Sequence, residues 1–243
     1  MGGVVHNPSE FLEQNQEYFF IICAIKHGHD IYRQILSDRI ANRDNVFLPL
    51  YGTIYAICDN QYFDCPNMTL QSNEIFIDMG MYDGLTSKFI AQNCKYKKII
   101  GFEANKFAIN RCNNNLKEFN NVEIFPYAAW NKKEILNFSV HDAGSHIGDD
   151  GSESVIGQSL DNVLNGDEAT FIKMDIEGAE VKAIEGAEKT IKAYKPKLAI
   201  SIYHKPEDIM EIPLAIMKIR DDYKFYIRHY SSFPTVETIL YGY

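Results

Sequence analysis

The sequence predicts an α/β fold built on a mostly parallel sheet, and three observations point to it. Strand-like and helix-like segments alternate from Ile75 onward, at 75–78, 85–93, 98–102, 106–118 and 122–125. The first of these strands runs into a glycine-marked turn, Asp78-Met-Gly80-Met-Tyr82-Asp83-Gly84, with a helix expected from Thr86 onward. About 20 residues later a second apolar strand, Ile99-Ile-Gly-Phe, ends on Glu103. A turn of this kind brings backbone N–H groups and a helix N-terminus against a ligand. Its glycines allow close approach and tolerate positive φ, and the acid at the next strand tip meets a ribose diol. The arrangement suits a nucleoside-bearing cofactor.

With 243 residues the chain can bury one sizeable core. The expected division is an N-terminal helical cap with short strands over 1–73 and one main domain over 74–243. A formal net charge of −9 argues against long polyanions as partners, because phosphate contacts need clustered Lys and Arg. The five cysteines, Cys23, Cys58, Cys65, Cys94 and Cys112, are odd in number and show no paired CxxC spacing, as expected in a reducing interior without structural zinc. The apolar run Tyr18 to Ile25 is too short to span a bilayer and follows acidic residues, so a cytoplasmic location without membrane insertion is expected.

Taken in order, Asn7-Pro-Ser9 reads as a helix start. Phe11, Gln14, Tyr18, Ile21, Ile22 and Ile25 then form a mostly apolar stripe at helical spacing, and a second helix is expected over 30–41. Residues 51–73 mix aromatic and turn-forming residues, as short strands or loop would. Leu136 to Val140 and Ser154 to Gln158 are expected to pair as a hairpin around a long polar loop, His141 to Glu153. A short helix near 159–164 leads to the strand Thr170 to Asp175. One amphipathic helix then runs through Val181, Ile184, Ala187 and Ile191 until Pro196 stops it. Leu198 to His204 reads as a buried strand and 206–220 as helix, with Pro213 starting a second segment. Tyr223 to His229 and Val236 to Tyr241 are expected as a closing antiparallel pair.

Two cofactor classes compete for the first turn. A dinucleotide site usually carries GxGxxG with the pyrophosphate over the helix N-terminus. Here Asp78 stands two residues before Gly80, where an acid would repel a pyrophosphate but tolerate a cationic amino-acid end. That favours S-adenosylmethionine over a nicotinamide dinucleotide. Glu103, acceptor-only when ionised, can take both ribose hydroxyls, and Asn105 with the backbone after it is expected near the base. The plain alternative is turn glycines and a surface acid.

A second constellation, Lys173-Met-Asp175-Ile-Glu177-Gly-Ala-Glu180, lies at the carboxyl end of a predicted strand, the edge where open α/β sheets bind ligands. Alternation puts Lys173 and Asp175 on one side of the strand, so that they can pair. Glu177 and Glu180 open the next helix, where capping of its dipole is the competing role.

Four stretches, FIDMGMYDGLTS (76–87), GFEAN (101–105), PYAAW (126–130) and FIKMDIEGAEVKAIEGAE (171–188), together resemble the FkbM family of S-adenosylmethionine-dependent methyltransferases. The resemblance implies the class I methyltransferase, Rossmann-like fold: a seven-stranded sheet with helices on both faces whose last strand in the chain runs antiparallel. It also implies methyl transfer mostly to oxygen. Asp78, Gly80, Tyr82 and Asp83 would line the methionine end, Glu103 the ribose and Ala128 the adenine region, with Asp175 beside the reactive methyl. Thr86, at the head of the first helix, completes the cofactor-binding set. Met79, Met81 and Trp130 stand where smaller residues are usual. SIYHKPEDIMEIP (201–213) and FYIRHYS (225–231) resemble a bacterial subgroup of the family. The acceptor implied is a hydroxyl on a surface polysaccharide, its activated sugar precursor or a small secondary metabolite.

The donor already carries a good leaving group, so alignment and proton removal are the protein's tasks. His204 is the first candidate for the base and Glu177 the second, with His229 behind them. Asp175 with Glu177 or His204 could instead hold a divalent metal, although no spaced ligand set is visible and none is expected. The rival functions are a nicotinamide-dependent oxidoreductase and a non-catalytic nucleoside-binding module.

Overall fold

The computed structural model describes residues 20–21, 46–47, 61–65, 68–141, 144–149, 151–230 and 237–243. The chain divides into two units, 1–58 and 59–243. In the first, β1 (Phe20–Ile21) pairs in parallel with β2 (Val46–Phe47). Helical spacing predicts a helix through Phe20 and Ile21, and the structure corrects this: an unbroken aromatic and β-branched run satisfies a strand equally well. The rest of that stripe, the expected helix over 30–41, and Cys23 and Cys58 lie outside the described residues.

The second unit opens on a single 3-10 turn, Gln61–Phe63. Its elements then follow as β3 (Glu74–Met79), α1 (Leu85–Asn93), β4 (Tyr96–Phe102), α2 (Lys106–Leu116) and β5 (Val122–Phe125). After them come β6 (Ala128–Ala129), β7 (Glu134–Ser139), β8 (His146–Ile147), β9 (Glu153–Gln158), α3 (Leu160–Leu164) and β10 (Phe171–Met174). The chain closes with α4 (Glu180–Glu185), α5 (Glu188–Tyr194), β11 (Lys197–Ser201), α6 (Asp208–Ile219), β12 (Phe225–His229) and β13 (Thr238–Gly242).

Seven strands form one sheet in the order β12-β13-β11-β10-β3-β4-β5. The pairs from β11 through β5 are parallel, and β13 runs antiparallel to both of its neighbours. The chain winds outward from β3 through β4 to β5, then returns to β10 on the other side of β3. The reversal leaves a crevice at the carboxyl ends of β3, β4 and β10, where an open α/β sheet accepts ligands.

Every residue of β3 is buried, as befits a strand covered on both faces. Alternation divides its side chains. Ile75, Ile77 and Met79 join the large core with Ile184, Ile191, Ile212 and Ile216 of α4, α5 and α6. On the opposite face Asp78 meets Ser87 of α1, and Phe76 packs against Phe63 and Phe171. Met79 and Met81 both turn inward, Met79 into the large core and Met81 onto Cys112 and Leu116 of α2. Gly101 makes the space for Met81, since a Cβ there would overlap its thioether.

The segment between β5 and β10 builds a four-stranded sheet of its own, ordered β6-β9-β7-β8. Its centre is the expected hairpin: β7 and β9 pair antiparallel, and the long loop contributes β8 to the edge of β7.

Two helix expectations are corrected. The single amphipathic helix after Glu180 is two helices, α4 and α5, broken at Gly186-Ala187. A Cβ at Gly186 would overlap the Trp130 carbonyl, and the Gly186 carbonyl accepts from Asp161 N–H at 3.0 Å. The Asp161 carboxylate in turn accepts from the N–H groups of Lys189 and Thr190, each at 2.9 Å, and caps α5 from outside. Pro213 does not start a segment but lies inside α6. It forfeits one backbone hydrogen bond, and fully buried Ile212 and Ile216 hold the helix together around it. Among the described residues no helix is long and apolar enough to cross a membrane.

Candidate active site

A cavity of about 360 Å³ opens at the crevice, within the range of small-molecule and cofactor sites. Gly80, Tyr82 and Glu103 line it together with the apolar side chains of Phe102, Tyr127, Ala128, Phe138 and Ile147, the β8 residue His146, and Asp175, Glu177, Tyr203 and Glu237. The first turn is held in place by backbone bonds from Gly80 and Met81 N–H to the Phe102 carbonyl, at 3.0 and 3.3 Å. Gly80 has φ +79°, and a Cβ there would run into the Asp175 carbonyl, so the turn and the tip of β10 touch only through glycine.

Glu103 sits at the end of β4 and is fixed by two backbone donors. Tyr82 N–H reaches one carboxylate oxygen and Asn105 N–H the other, each at 2.8 Å. Tyr82 takes a left-handed φ of 55°, and its ring lies under Arg111, whose guanidinium carbon is 4.4 Å from the ring centre. Burial raises the Glu103 pKa against the lowering pull of those two amides. Asn105 caps α2 through its side-chain oxygen, which accepts from Phe107 N–H at 2.9 Å, and its amide donates to Ser145 at 3.2 Å.

Asp78 is fully buried and is not a lining residue of the cavity. Its carboxylate accepts from the Ser87 hydroxyl at 2.7 Å and pairs with Lys173 Nζ at 3.1 Å, Lys173 being its neighbour across the β3–β10 register. The expected Lys173–Asp175 pair is thereby corrected. Lys173 also donates to the Gly80 carbonyl at 2.6 Å, so the pair secures the floor of the turn. Burial lowers the Lys173 pKa, but Asp78 and Asp175 outweigh it and hold the amine above its usual range. Asp83 accepts from Leu85 N–H at 3.0 Å at the head of α1 and, like Thr86, stands outside the cavity lining.

Asp175 and Glu177 belong to a compact charged group. His204, with a side chain 8% exposed, directs Nδ1 to Glu180 Oε1 at 2.9 Å and Nε2 to Asp175 Oδ1 at 3.3 Å and Glu177 Oε2 at 3.6 Å. Tyr62, from the 3-10 turn, donates to the other Asp175 oxygen at 2.6 Å. Burial pulls the His204 pKa down, but the flanking Asp175 and Glu180 carboxylates outweigh it and raise it to about 10. For Asp175 burial acts upward and is overcome by His204, Lys173 and Tyr62, so its carboxyl lies well below the usual carboxylate range. Burial raises the Glu177 pKa. Nδ1 of His204 is hydrogen-bonded to Glu180, while Nε2 lies near Asp175 and Glu177 at ion-pair distance without a hydrogen bond. Glu177, by contrast, is 39% exposed and lies on the cavity wall.

A comparison with protein families matches residues 78–228 to the methyltransferase FkbM domain. The chain belongs to the FkbM methyltransferase family. Among solved structures, this FkbM chain is similar to a methyltransferase FkbM from Methylobacillus flagellatus KT, with 24% identity and a TM-score of 0.66. The alignment covers 89% of this chain and 60% of that one, so the chain spans well under two thirds of that relative. A fibrillarin from Aeropyrum pernix with natively bound S-adenosyl-L-methionine shares the fold at 8% identity and a TM-score of 0.50, over 77% of this chain and 74% of that one. No curated protein matches the chain. The sheet order and the antiparallel β13 are those of the class I methyltransferase fold.

Of the residues singled out by sequence, the cavity lining thus gathers Gly80, Tyr82, Glu103, Asn105, Ala128, Asp175 and Glu177 and does not include Asp78, Asp83, Thr86 and His204. Sequence reasoning missed Tyr62 and Glu237, and it named the neighbour of Ser87 instead of Ser87 itself. Only Ser87 had a local signal: it sits on the helix turn that faces Asp78, and Thr86 does not.

Proposed function

We propose that the protein transfers the methyl group of S-adenosylmethionine to a hydroxyl of a small acceptor, of the sugar or nucleotide-linked sugar class. The observation that carries this reading is one cavity lined by both Glu103 and the Asp175–Glu177 pair. Family membership supports methyl transfer. The residues present fit the donor. Glu103 spends one lone pair per oxygen on backbone amides and keeps acceptor capacity for a ribose diol. Ala104, Ala108, Ala128 and Ala129 leave room for a flat base between Phe102, Tyr127 and Phe138.

When bound, S-adenosylmethionine supplies an electrophilic methyl on a sulfonium. The chain's own residues then have two tasks. Gly80 and Glu103 fix the two ends of the donor, so that the acceptor oxygen meets the methyl in line. Glu177 accepts the hydroxyl proton, with Asp175 and His204 holding the wall behind it. Tyr203 and Glu237 offer the acceptor an aromatic face and a hydrogen-bonding carboxylate. A cavity of this size, in a chain of net charge −9, suits a small acceptor better than a polyanion.

The deciding experiment incubates the full chain with methyl-labelled donor and a panel of sugars, nucleotide sugars and small alcohols. Labelled product is expected from at least one hydroxyl acceptor, and Glu177→Gln should lower its rate about 100-fold, the range of a lost general base. If calorimetry finds no donor binding, the reading fails. If the donor binds but nothing on the panel is methylated, a binding module that kept the fold is favoured.

A further inference from the structure

Glu180 Oε2 is a buried carboxylate oxygen with no hydrogen-bond partner, and buried Asp175 Oδ1 and His204 Nε2 meet each other at 3.3 Å without forming a hydrogen bond. Such atoms are uncommon in a folded protein and mark a missing water, ion or strained contact. The Glu180 side chain is fully buried and that of His204 is 8% exposed, so bulk solvent does not answer them. Asp175, Glu180 and His204 each offer one ligand atom within 4.8 Å of the others. We propose that Asp175, Glu180 and His204 hold a divalent cation beside the cavity.

Charge supports a cation over a water. Three carboxylates, of Asp175, Glu177 and Glu180, face one imidazole, while Lys173 is committed to Asp78 and to the Gly80 carbonyl and Lys205 to the Gly178 carbonyl. A bound cation would take the place of the imidazolium proton, which metal binding releases, and the freed ring nitrogen with two carboxylate oxygens would then present three lone pairs to it. The ligand types, one imidazole with carboxylates, suit Mn²⁺ or Zn²⁺ better than Ca²⁺. The outer contacts are also built. Tyr62 fixes the free oxygen of Asp175 at 2.6 Å, and Ile176 N–H fixes Glu180 Oε1 at 3.0 Å, much as partners orient ligands around known metals. Asp175 and Glu177 line the cavity, so the cation would face the acceptor hydroxyl and make it more acidic. That last role rests on the methyl-transfer reading, whereas the binding of the ion does not.

The test titrates Mn²⁺ into chelator-treated full-length protein and follows the loss of the free-ion electron paramagnetic resonance signal, with donor binding measured in parallel by calorimetry. One tightly bound Mn²⁺ per chain is expected. Glu180→Gln should weaken it at least tenfold. Asp175→Asn, on the cavity wall, keeps the side-chain shape and serves as a second variant with the same expectation should Glu180→Gln not fold. Glu185→Gln, a surface acid on α4, should leave the affinity unchanged. No bound Mn²⁺, or binding that a folded Asp175→Asn variant retains, overturns the proposal. Donor binding without Mn²⁺ binding sinks the cation alone. Mn²⁺ binding without donor binding sinks methyl transfer and leaves the cation site standing.

Discussion

At the scale of single residues, two acids read from one motif turn out to do different work. Asp78 and Glu103 end neighbouring parallel strands, yet only Glu103 reaches the cavity. The difference lies in partners. Asp78 faces Lys173 across the β3–β10 register, and that buried pair keeps it below the turn, a contact set by a residue 95 positions away that no local spacing reveals. Glu103 has only backbone donors and keeps capacity for a ligand. Loss of its charge should remove charge-assisted hydrogen bonds of about 1.5–3 kcal/mol, so Glu103→Gln is expected to weaken donor binding roughly 10- to 100-fold in calorimetry. Acidity should act through the same group. Because burial raises its folded pKa, donor affinity falls as pH drops through a value above the usual Glu range near 4.3, and Glu103→Gln should flatten that dependence. Stability runs the other way. A raised carboxyl pKa means that the folded state holds the proton more firmly, so this group's contribution is full at low pH and lost as pH rises through the folded pKa.

Among the secondary-structure elements, the strands were the most legible and the helix joints the least. β3, β4, β5, β10 and β11 each follow from a short apolar run beside a turn signal, and the β7–β9 hairpin follows from two such runs of matched length. The break between α4 and α5 was hidden because the apolar positions keep helical phase across Gly186. What ends α4 is the approach of the Trp130 carbonyl, and what starts α5 is an external cap from Asp161, both supplied by distant chain. The cap is open to measurement. Asp161→Ala removes acceptors for Lys189 N–H, Thr190 N–H and the Thr190 hydroxyl, the last at 2.7 Å. It should cost about 0.5–2 kcal/mol in urea unfolding. Donor affinity should not move, because Asp161 is not a lining residue of the cavity.

In the molecule as a whole, the site is a product of closure. The part from Gly80 to Asn105 is local in sequence and readable there. The part around Asp175 joins Tyr62 to Asp175 over 113 positions and Gln61 to Glu237 over 176, and such pairs exist only after the strands on both sides of β3 have come together. A ligand lying along the cavity therefore touches the carboxyl ends of β3, β4 and β10 and the added sheet at once, and binds only the assembled unit. Such a ligand must stabilise the fold by mass action. S-adenosylhomocysteine at 100 times its dissociation constant should add about 2.7 kcal/mol. For a chain of this length that raises the unfolding midpoint on the order of 5–10 °C in scanning calorimetry. Glu103→Gln at the same concentration should show a much smaller rise, since a weaker site approaches saturation less closely. A nicotinamide dinucleotide should give no shift. If it produced one as large as S-adenosylhomocysteine, the cavity would be a generic nucleoside cleft, and the assignment of Gly80 and Glu103 to a methyl donor would fail.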